Sequence, residues 1–166
     1  MSSTWFISDL HLDSARPSIS RAFFRFLKDI QSCEALYILG DLFEAWVGDD
    51  DDTALALDTC AALAEFNKPH ARTFVMHGNR DFLLGDEFCR RSGTRLLPQP
   101  FVIDLYGTKT LIMHGDSLCT DDTGYQALRE KVRNPAWQAD MLSRPLRERR
   151  AIAAQMRGLS VEASSN

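Results

Sequence analysis

Through the first 115 residues, short apolar runs alternate with longer stretches whose apolar positions recur at helical spacing. "TWFIS" (4–8), "ALYIL" (35–39) and "RTFVMH" (72–77) are short, rich in aromatic and β-branched residues, and do not alternate with polar ones. Such runs predict strands buried on both faces. Between them, "PSISRAFFRFLKDI" (17–30) sets Ile19, Phe23, Phe26, Leu27 and Ile30 on one helical face, with Pro17 suited to a first turn. "TALALDTCAALAEF" (53–66) and "DFLLGDEFCRRSG" (81–93) predict two more helices, the second closed by Gly93. This alternation predicts an α/β core on parallel strands.

The rhythm then changes. "FVIDLYGTKTLIMHGD" (101–116) predicts a hairpin around a tight Tyr106–Gly107 turn. From Tyr125 onward there is no strand-like run, only basic helical segments broken by Pro135, Pro145 and Gly158. Charge divides at the same place. Residues 1–124 hold 11 Lys/Arg against 19 Asp/Glu, whereas residues 125–166 hold 8 against 4. The expected organisation is a core over 1–124 and a basic helical insertion over 125–166. With a net charge of −4 the chain is a poor general binder of nucleic acid, and none is expected as a partner. Its basic last quarter suits an anionic surface.

Composition narrows the class further. Apolar residues make up 45% and charged residues 25% of 166, the balance of one soluble globular domain. No apolar run exceeds five residues, so no bilayer span is expected, and "MSSTWFISDL" lacks the pattern of a secretion leader. Cys33, Cys60, Cys89 and Cys119 stand apart without a C-x-x-C pair, which suits a reducing cytoplasm and argues against zinc held by thiolates.

Four places share one grammar: an apolar strand, then polar groups at its carboxyl end. They are Ser8-Asp9-Leu10-His11, Gly40-Asp41, Gly78-Asn79-Arg80-Asp81 and His114-Gly115-Asp116. Open α/β sheets bind ligands outside the carboxyl ends of their strands, so these groups are expected in one crevice. The glycines beside Asp41, Asn79 and His114 are expected to let the backbone approach whatever is held there. Carboxylate and amide oxygens mixed with imidazoles suit Mn²⁺, Fe²⁺ or Zn²⁺ rather than Ca²⁺. Five candidate ligands exceed the needs of one open metal. Two metals roughly 3.5–4 Å apart would use them, lowering the pKa of a bound water and clamping an in-line phosphoryl displacement.

The blocks "DLH", "GD", "GNRD" and "HGD" resemble, in order and spacing, those of the calcineurin-like metallophosphoesterases, whose pattern ends in G-H-x-H. "YILGDLFEAWVGDDD" (37–51), "HGNRDFLLG" (77–85) and "LIMHGDSLCTDDTGYQ" (111–126) are similar to the UDP-2,3-diacylglucosamine pyrophosphatase branch of that family, hydrolases of lipid A synthesis. The resemblance implies an αββα sandwich with a helical cap. It implies two Mn²⁺ ions, with Asp9 and His11 on one, Asp41 bridging, and Asn79 and His114 on the other. The implied catalytic set is Asp41, Asn79, Arg80 and His114. Asn79, Arg80, Asp122, Tyr125, Ser160 and Ser164 are the implied substrate contacts.

The implied reaction cleaves UDP-2,3-diacylglucosamine to UMP and 2,3-diacylglucosamine 1-phosphate, by a monomer lying peripherally on the cytoplasmic face of the inner membrane. The alternatives are a soluble nucleotide or phosphoprotein substrate, or a non-catalytic metal- or lipid-binding protein. The histidines are His11, His70, His77 and His114, and no G-H-x-H occurs. The expectation is therefore an incomplete version of a longer enzyme, without the closing strands of the sandwich and with about three protein ligands left to each metal.

Several of these residues have plainer readings. His77 is expected to be structural and His70 an exposed loop residue. Asp49–Asp52 reads as a solvated loop, and Trp46, Leu83 and Leu84 as core. Arg80 could pair with Asp81, and Asp121 and Asp122 could serve as first-turn helix acids. Arg144, Arg147, Arg149 and Arg150 read either as a solvated helix face or as a face for anionic lipid.

Overall fold

The computed structural model describes residues 3–68 and 72–164, with side chains through residue 156. His70 lies outside the described residues, and Ser160 and Ser164 lie outside those with described side chains. Four parallel strands form a sheet in the order β1 (Thr4–Ile7), β2 (Ala35–Ile38), β3 (Thr73–Val75), β4 (Arg95–Leu96). The first three stand where predicted, but β1, at the edge of the sheet, is not buried on both faces: Trp5 and Phe6 are exposed. β4 escapes a pattern search because two residues carry no periodicity.

Side chains alternate across β2 and so divide the molecule into layers. Leu36 and Ile38 enter one core with Phe23 and Leu27 of α1 (Pro17–Asp29), Cys60, Leu63 and Phe66 of α2 (Ala54–Asn67) and Phe88 of α3 (Asp86–Ser92). Tyr37 and Leu39 face the other way, against Met76 and the hairpin of β5 (Phe101–Leu105) and β6 (Thr108–Ile112) through Ile103 and Ile112. Tyr106 and Gly107 both take positive φ in the hairpin turn, as a two-residue turn between twisted strands requires.

α3 is shorter than predicted, starting at Asp86 rather than residue 81. The Asp81 carboxylate accepts backbone N–H groups from Gly78 and Leu42 and so fixes the chain in a loop. Asp49 caps the helix instead, accepting N–H bonds from Gly85 at 3.0 Å and Phe88 at 2.9 Å. Gly93 closes it in the left-handed conformation, as predicted.

The basic segment is helical throughout: α4 (Thr123–Arg133), α5 (Pro135–Ser143) and α6 (Leu146–Ser164). Asn134 ends α4 and caps α5 by accepting the Ala136 N–H at 2.8 Å, and Pro135 occupies the first turn. Val132 and Met141 enter the main core. The arginine face is exposed at Arg144, Arg147 and Arg150, as a solvated face requires, but not at Arg149. Arg149 is buried and pairs with Asp50, Arg150 reaches Asp51 and Asp52 at 2.7 Å each, and Arg144 reaches Asp140 at 2.8 Å. The acidic loop 50–52 is thereby a docking strip for α6, since opposite charges a hundred residues apart meet once the helix folds back.

Candidate metal centre and adjoining cavity

Residues 8–12 leave β1 and residues 40–44 leave β2 still side by side. The Asp9 N–H donates to the Gly40 carbonyl at 3.2 Å, His11 to Asp41 at 3.0 Å and Leu12 to Leu42 at 2.9 Å. Asp9, His11 and Asp41 all adopt left-handed backbone, with φ of 56°, 47° and 53°. That conformation costs a non-glycine residue of order 1–2 kcal/mol, and the paired backbones hold it. The strain aims three side chains at one point.

One ligand atom from each of Asp9, His11 and Asp41 lies within 4.8 Å of the others. His11 Nε2 is 3.8 Å from Asp9 Oδ1 and 3.6 Å from Asp41 Oδ2, and His114 Nε2 approaches the same Asp41 oxygen to 3.8 Å. These gaps are too long for hydrogen bonds. They match the ~3–4 Å between two donors that each bind one divalent cation at about 2.0–2.2 Å. The His114 ring is already set for that role. Its Nδ1 donates to the Leu39 carbonyl at 2.8 Å, leaving the Nε2 lone pair turned to Asp41. Burial, reinforced by the Asp9 charge, pushes the Asp41 carboxyl up. The Arg80 N–H and the two imidazoles offset this only in part. Added positive charge would relieve the cluster, so its residues fit a metal.

Gly40 and Gly78 serve this packing, whereas Gly115 has open space around it and is set by its left-handed φ of 100°. A Cβ on Gly78 would run into the Asp41 carboxylate and backbone nitrogen. One on Gly40 would stand 2.7 Å from both the Gly78 Cα and His114 Nδ1. Beneath them the fully buried Asp81 accepts N–H bonds from Gly78 at 2.7 Å and Leu42 at 2.8 Å, with Asp41 at 3.3 Å and Phe43 at 3.4 Å. It binds the β2 and β3 ends together and forms no pair with Arg80. The sequence places Asp81 among the strand-end polar groups expected in the crevice; instead its side chain turns inward to the backbone N–H groups.

Two further residues were missed. Glu44 stands 3.2 Å from His11 Nδ1 and also pairs with Arg16 at 3.1 Å. Gln99 accepts the His114 N–H at 3.1 Å and donates to the His77 carbonyl at 2.8 Å. His77 itself is structural, donating from Nε2 to the Leu84 carbonyl at 2.7 Å, and burial holds its pKa below the ordinary imidazole value.

Asn79 and Arg80 follow directly on Gly78 and line a cavity of about 490 Å³ beside the cluster. Its other walls include Glu44, the apolar Trp46, Phe82, Leu128, Trp137 and Met141, and Asp122 and Tyr125 at the start of α4. Trp46, buried in the core, also lines this space. Arg80 Nε is buried with no hydrogen-bond partner among the described residues. Asp122 caps α4 by accepting the Tyr125 N–H at 2.9 Å. The structure thus brings together Asp9, His11, Asp41 and His114, and sets Asn79, Arg80, Asp122 and Tyr125 along the adjoining cavity.

A family comparison agrees with this geometry: the calcineurin-like phosphoesterase family matches residues 2–157. The chain belongs to that family. Its α/β core, with polar groups gathered at the carboxyl ends of parallel strands, is consistent with the metallophosphoesterase fold. Among curated relatives, a UDP-2,3-diacylglucosamine hydrolase of Cellvibrio japonicus is 54% identical over 158 residues, covering 95% of this chain and 66% of the relative. One of Marinobacter nauticus is 53% identical over 95% of this chain and 65% of the relative. One of Salmonella typhi is 53% identical over 98% of this chain and 68% of the relative. The chain therefore spans about two thirds of the length of these relatives. A solved structure, Pseudomonas putida nuclease MPE, is 25% identical over 60% of this chain and 49% of that one, with a TM-score of 0.43.

Proposed function

We propose that this phosphoesterase hydrolyses the pyrophosphate of UDP-2,3-diacylglucosamine, giving UMP and 2,3-diacylglucosamine 1-phosphate in lipid A biosynthesis. One observation carries the reading: a metal-ligand cluster opens beside a cavity that is polar at Asn79 and Arg80 and apolar along Trp46, Phe82, Leu128, Trp137 and Met141. A substrate with a phosphate head and acyl tails matches that juxtaposition, and the names of the relatives agree. A small soluble phosphoester would leave the apolar wall without a purpose.

Asp9 and His11 would hold one ion, Asp41 would be shared, and Asn79 and His114 would hold the second. Manganese is the ion proposed on the family resemblance, since oxygens mixed with imidazole suit Fe²⁺ and Zn²⁺ as well as Mn²⁺. When bound, the ions supply Lewis-acid charge and an activated water. The protein's own groups do the rest. Arg80, which lines the cavity, would meet a non-bridging phosphate oxygen and stabilise the charge that builds there. The Leu39 carbonyl keeps the proton on His114 Nδ1 and so keeps Nε2 available as a ligand. Asp122, Tyr125, Ser160 and Ser164 would contact the sugar and its substituents. The phosphate leaving group scarcely needs a general acid.

In this reading residues 1–124 are the catalytic core and 125–166 the acyl-chain cap, and the protein acts as a monomer. No helix among the described residues is long and apolar enough to cross a membrane. Peripheral contact with the anionic cytoplasmic face of the inner membrane would come through the cap, where Leu128 and Leu142 are exposed. Carboxylates already occupy Arg144, Arg149 and Arg150, so lipid attraction through those side chains has little support.

Hydrolysis of the UDP-lipid with Mn²⁺ should exceed hydrolysis of bis-p-nitrophenyl phosphate, and Asp41→Ala should abolish both. Faster cleavage of the small diester by the wild type would reject the lipid substrate.

A further inference from the structure

Asp116 lies two residues beyond His114, outside the metal cluster, and its side chain is 6% exposed. Its Oδ2 accepts the Tyr125 hydroxyl at 2.8 Å and Arg129 Nε at 2.8 Å, and stands 3.9 Å from Arg133 Nη2. The Asp116 carbonyl accepts Gln126 Nε2 at 2.9 Å. Arg133 turns the same Nη2 to the Gly78 carbonyl at 2.9 Å and the His77 carbonyl at 3.4 Å. One buried carboxylate is therefore tied to both ends of α4 and, through Arg133, to the backbone that carries Asn79 and Arg80.

The two elements joined in this way line the same cavity, Tyr125 and Asp122 from α4 and Asn79 and Arg80 from the loop after β3. The Tyr125 hydroxyl proton is committed to Asp116, so this side chain serves the cavity by where its ring is held rather than by donating to a ligand. We propose that Asp116 is a positioning residue for the substrate: its carboxylate sets the gap between the start of α4 and the Asn79–Arg80 loop, where the polar end that would hold the phosphate head meets the apolar chamber that would take the acyl tails. The proposal rests on the lipid-substrate function. A neutral side chain of the same shape would leave Arg129 and Arg133 without their counter-charge and let the gap change, while Asp9, His11, Asp41 and His114 would keep their own supports in the β1–β2 backbone pairing, Leu39 and Gln99.

The test measures binding of UDP-2,3-diacylglucosamine in EDTA, where turnover cannot intrude, and binding of Mn²⁺ alone, both by calorimetry on the full chain. Asp116→Asn should weaken lipid binding about tenfold, the scale of one lost charge-assisted interaction, and leave the Mn²⁺ affinity within about twofold. Tyr125→Phe added to Asp116→Asn should cost little more than Asp116→Asn alone, because both remove one interaction. Unchanged lipid affinity in Asp116→Asn, additive losses in the double variant, or a matching fall in Mn²⁺ affinity would each overturn the positioning role. If Asp116→Asn does not fold, Arg129→Gln replaces it, since that partner is 22% exposed; lipid affinity equal to wild type in Arg129→Gln would overturn the proposal. A wild-type chain that does not bind the lipid would reject the substrate assignment and this role with it. Wild-type binding that Asp116→Asn leaves intact rejects the role alone.

Discussion

Breaking the Arg149–Asp50 pair should cost different amounts according to which partner is removed. The guanidinium is 4% exposed and donates to the Val47 carbonyl at 2.6 Å, the Arg144 carbonyl at 2.9 Å and Asp50 Oδ1 at 2.7 Å, with a second bond to Asp50 Oδ2. The Asp50 side chain is 60% exposed. Arg149→Met leaves a carboxylate that water can solvate and two carbonyls without a donor, a loss of about 2 kcal/mol. Asp50→Ala leaves a charged guanidinium in the interior with carbonyls alone, a loss of about 3–4 kcal/mol. For a chain of this size those losses lower the midpoint by roughly 5 °C and 10 °C.

Urea unfolding and calorimetry at pH 7.5 measure both. Arg149→Met at least as destabilising as Asp50→Ala would refute the reasoning, because the buried charge would then not be the costly remnant. Acid supplies a second check. The hydrogen bonds from Arg149 hold the Asp50 carboxyl below its ordinary value against the opposing effect of burial. Its contribution is therefore present above the unfolded pKa near 4 and fades as pH falls through the lower folded value. The gap between wild type and Arg149→Met should narrow on acidification from pH 5 to 3.

Two other outcomes follow from the metal cluster. Gly78→Ala places a methyl group on the Asp41 carboxylate, so Mn²⁺ affinity measured by calorimetry should fall at least about tenfold alongside ~1–3 kcal/mol of stability; wild-type affinity would contradict the packing argument. In metal-free protein, burial and then the Asp41 charge push the Asp81 carboxyl up to about 6, against the N–H groups of Gly78, Leu42 and Phe43. The folded state then binds the proton more tightly than the unfolded one. Relative to Asp81→Asn, wild type should gain up to about 3 kcal/mol as pH falls from 8 to 4 and lose it as pH rises through 6. A difference in urea unfolding that stays flat with pH would refute the shift.

Much of this protein could be read along the chain because the relevant physics is local. β1, β2, β3, α1 and α2 announce themselves by apolar period, and the turn at Tyr106–Gly107 by its dipeptide. Asp9, His11, Asp41 and His114 stand out because each follows a strand end, and parallel strands bring their carboxyl ends to one side. The start of α3 was misjudged because the apolar Phe82, Leu83 and Leu84 mimic a helical face while Asp81 and Asp49 dictate the backbone from distant contacts. Only the tertiary structure decided which carboxylate meets which cation. Arg149 and Arg150 look like a solvated helix face until α6 returns to Asp50–Asp52, and Asp116 looks like one more strand-end group of the crevice until α4 covers it. Apolar periodicity survives in one dimension because it repeats with the backbone's own geometry. Charge pairing leaves no such trace, since its partners are chosen by distance through space.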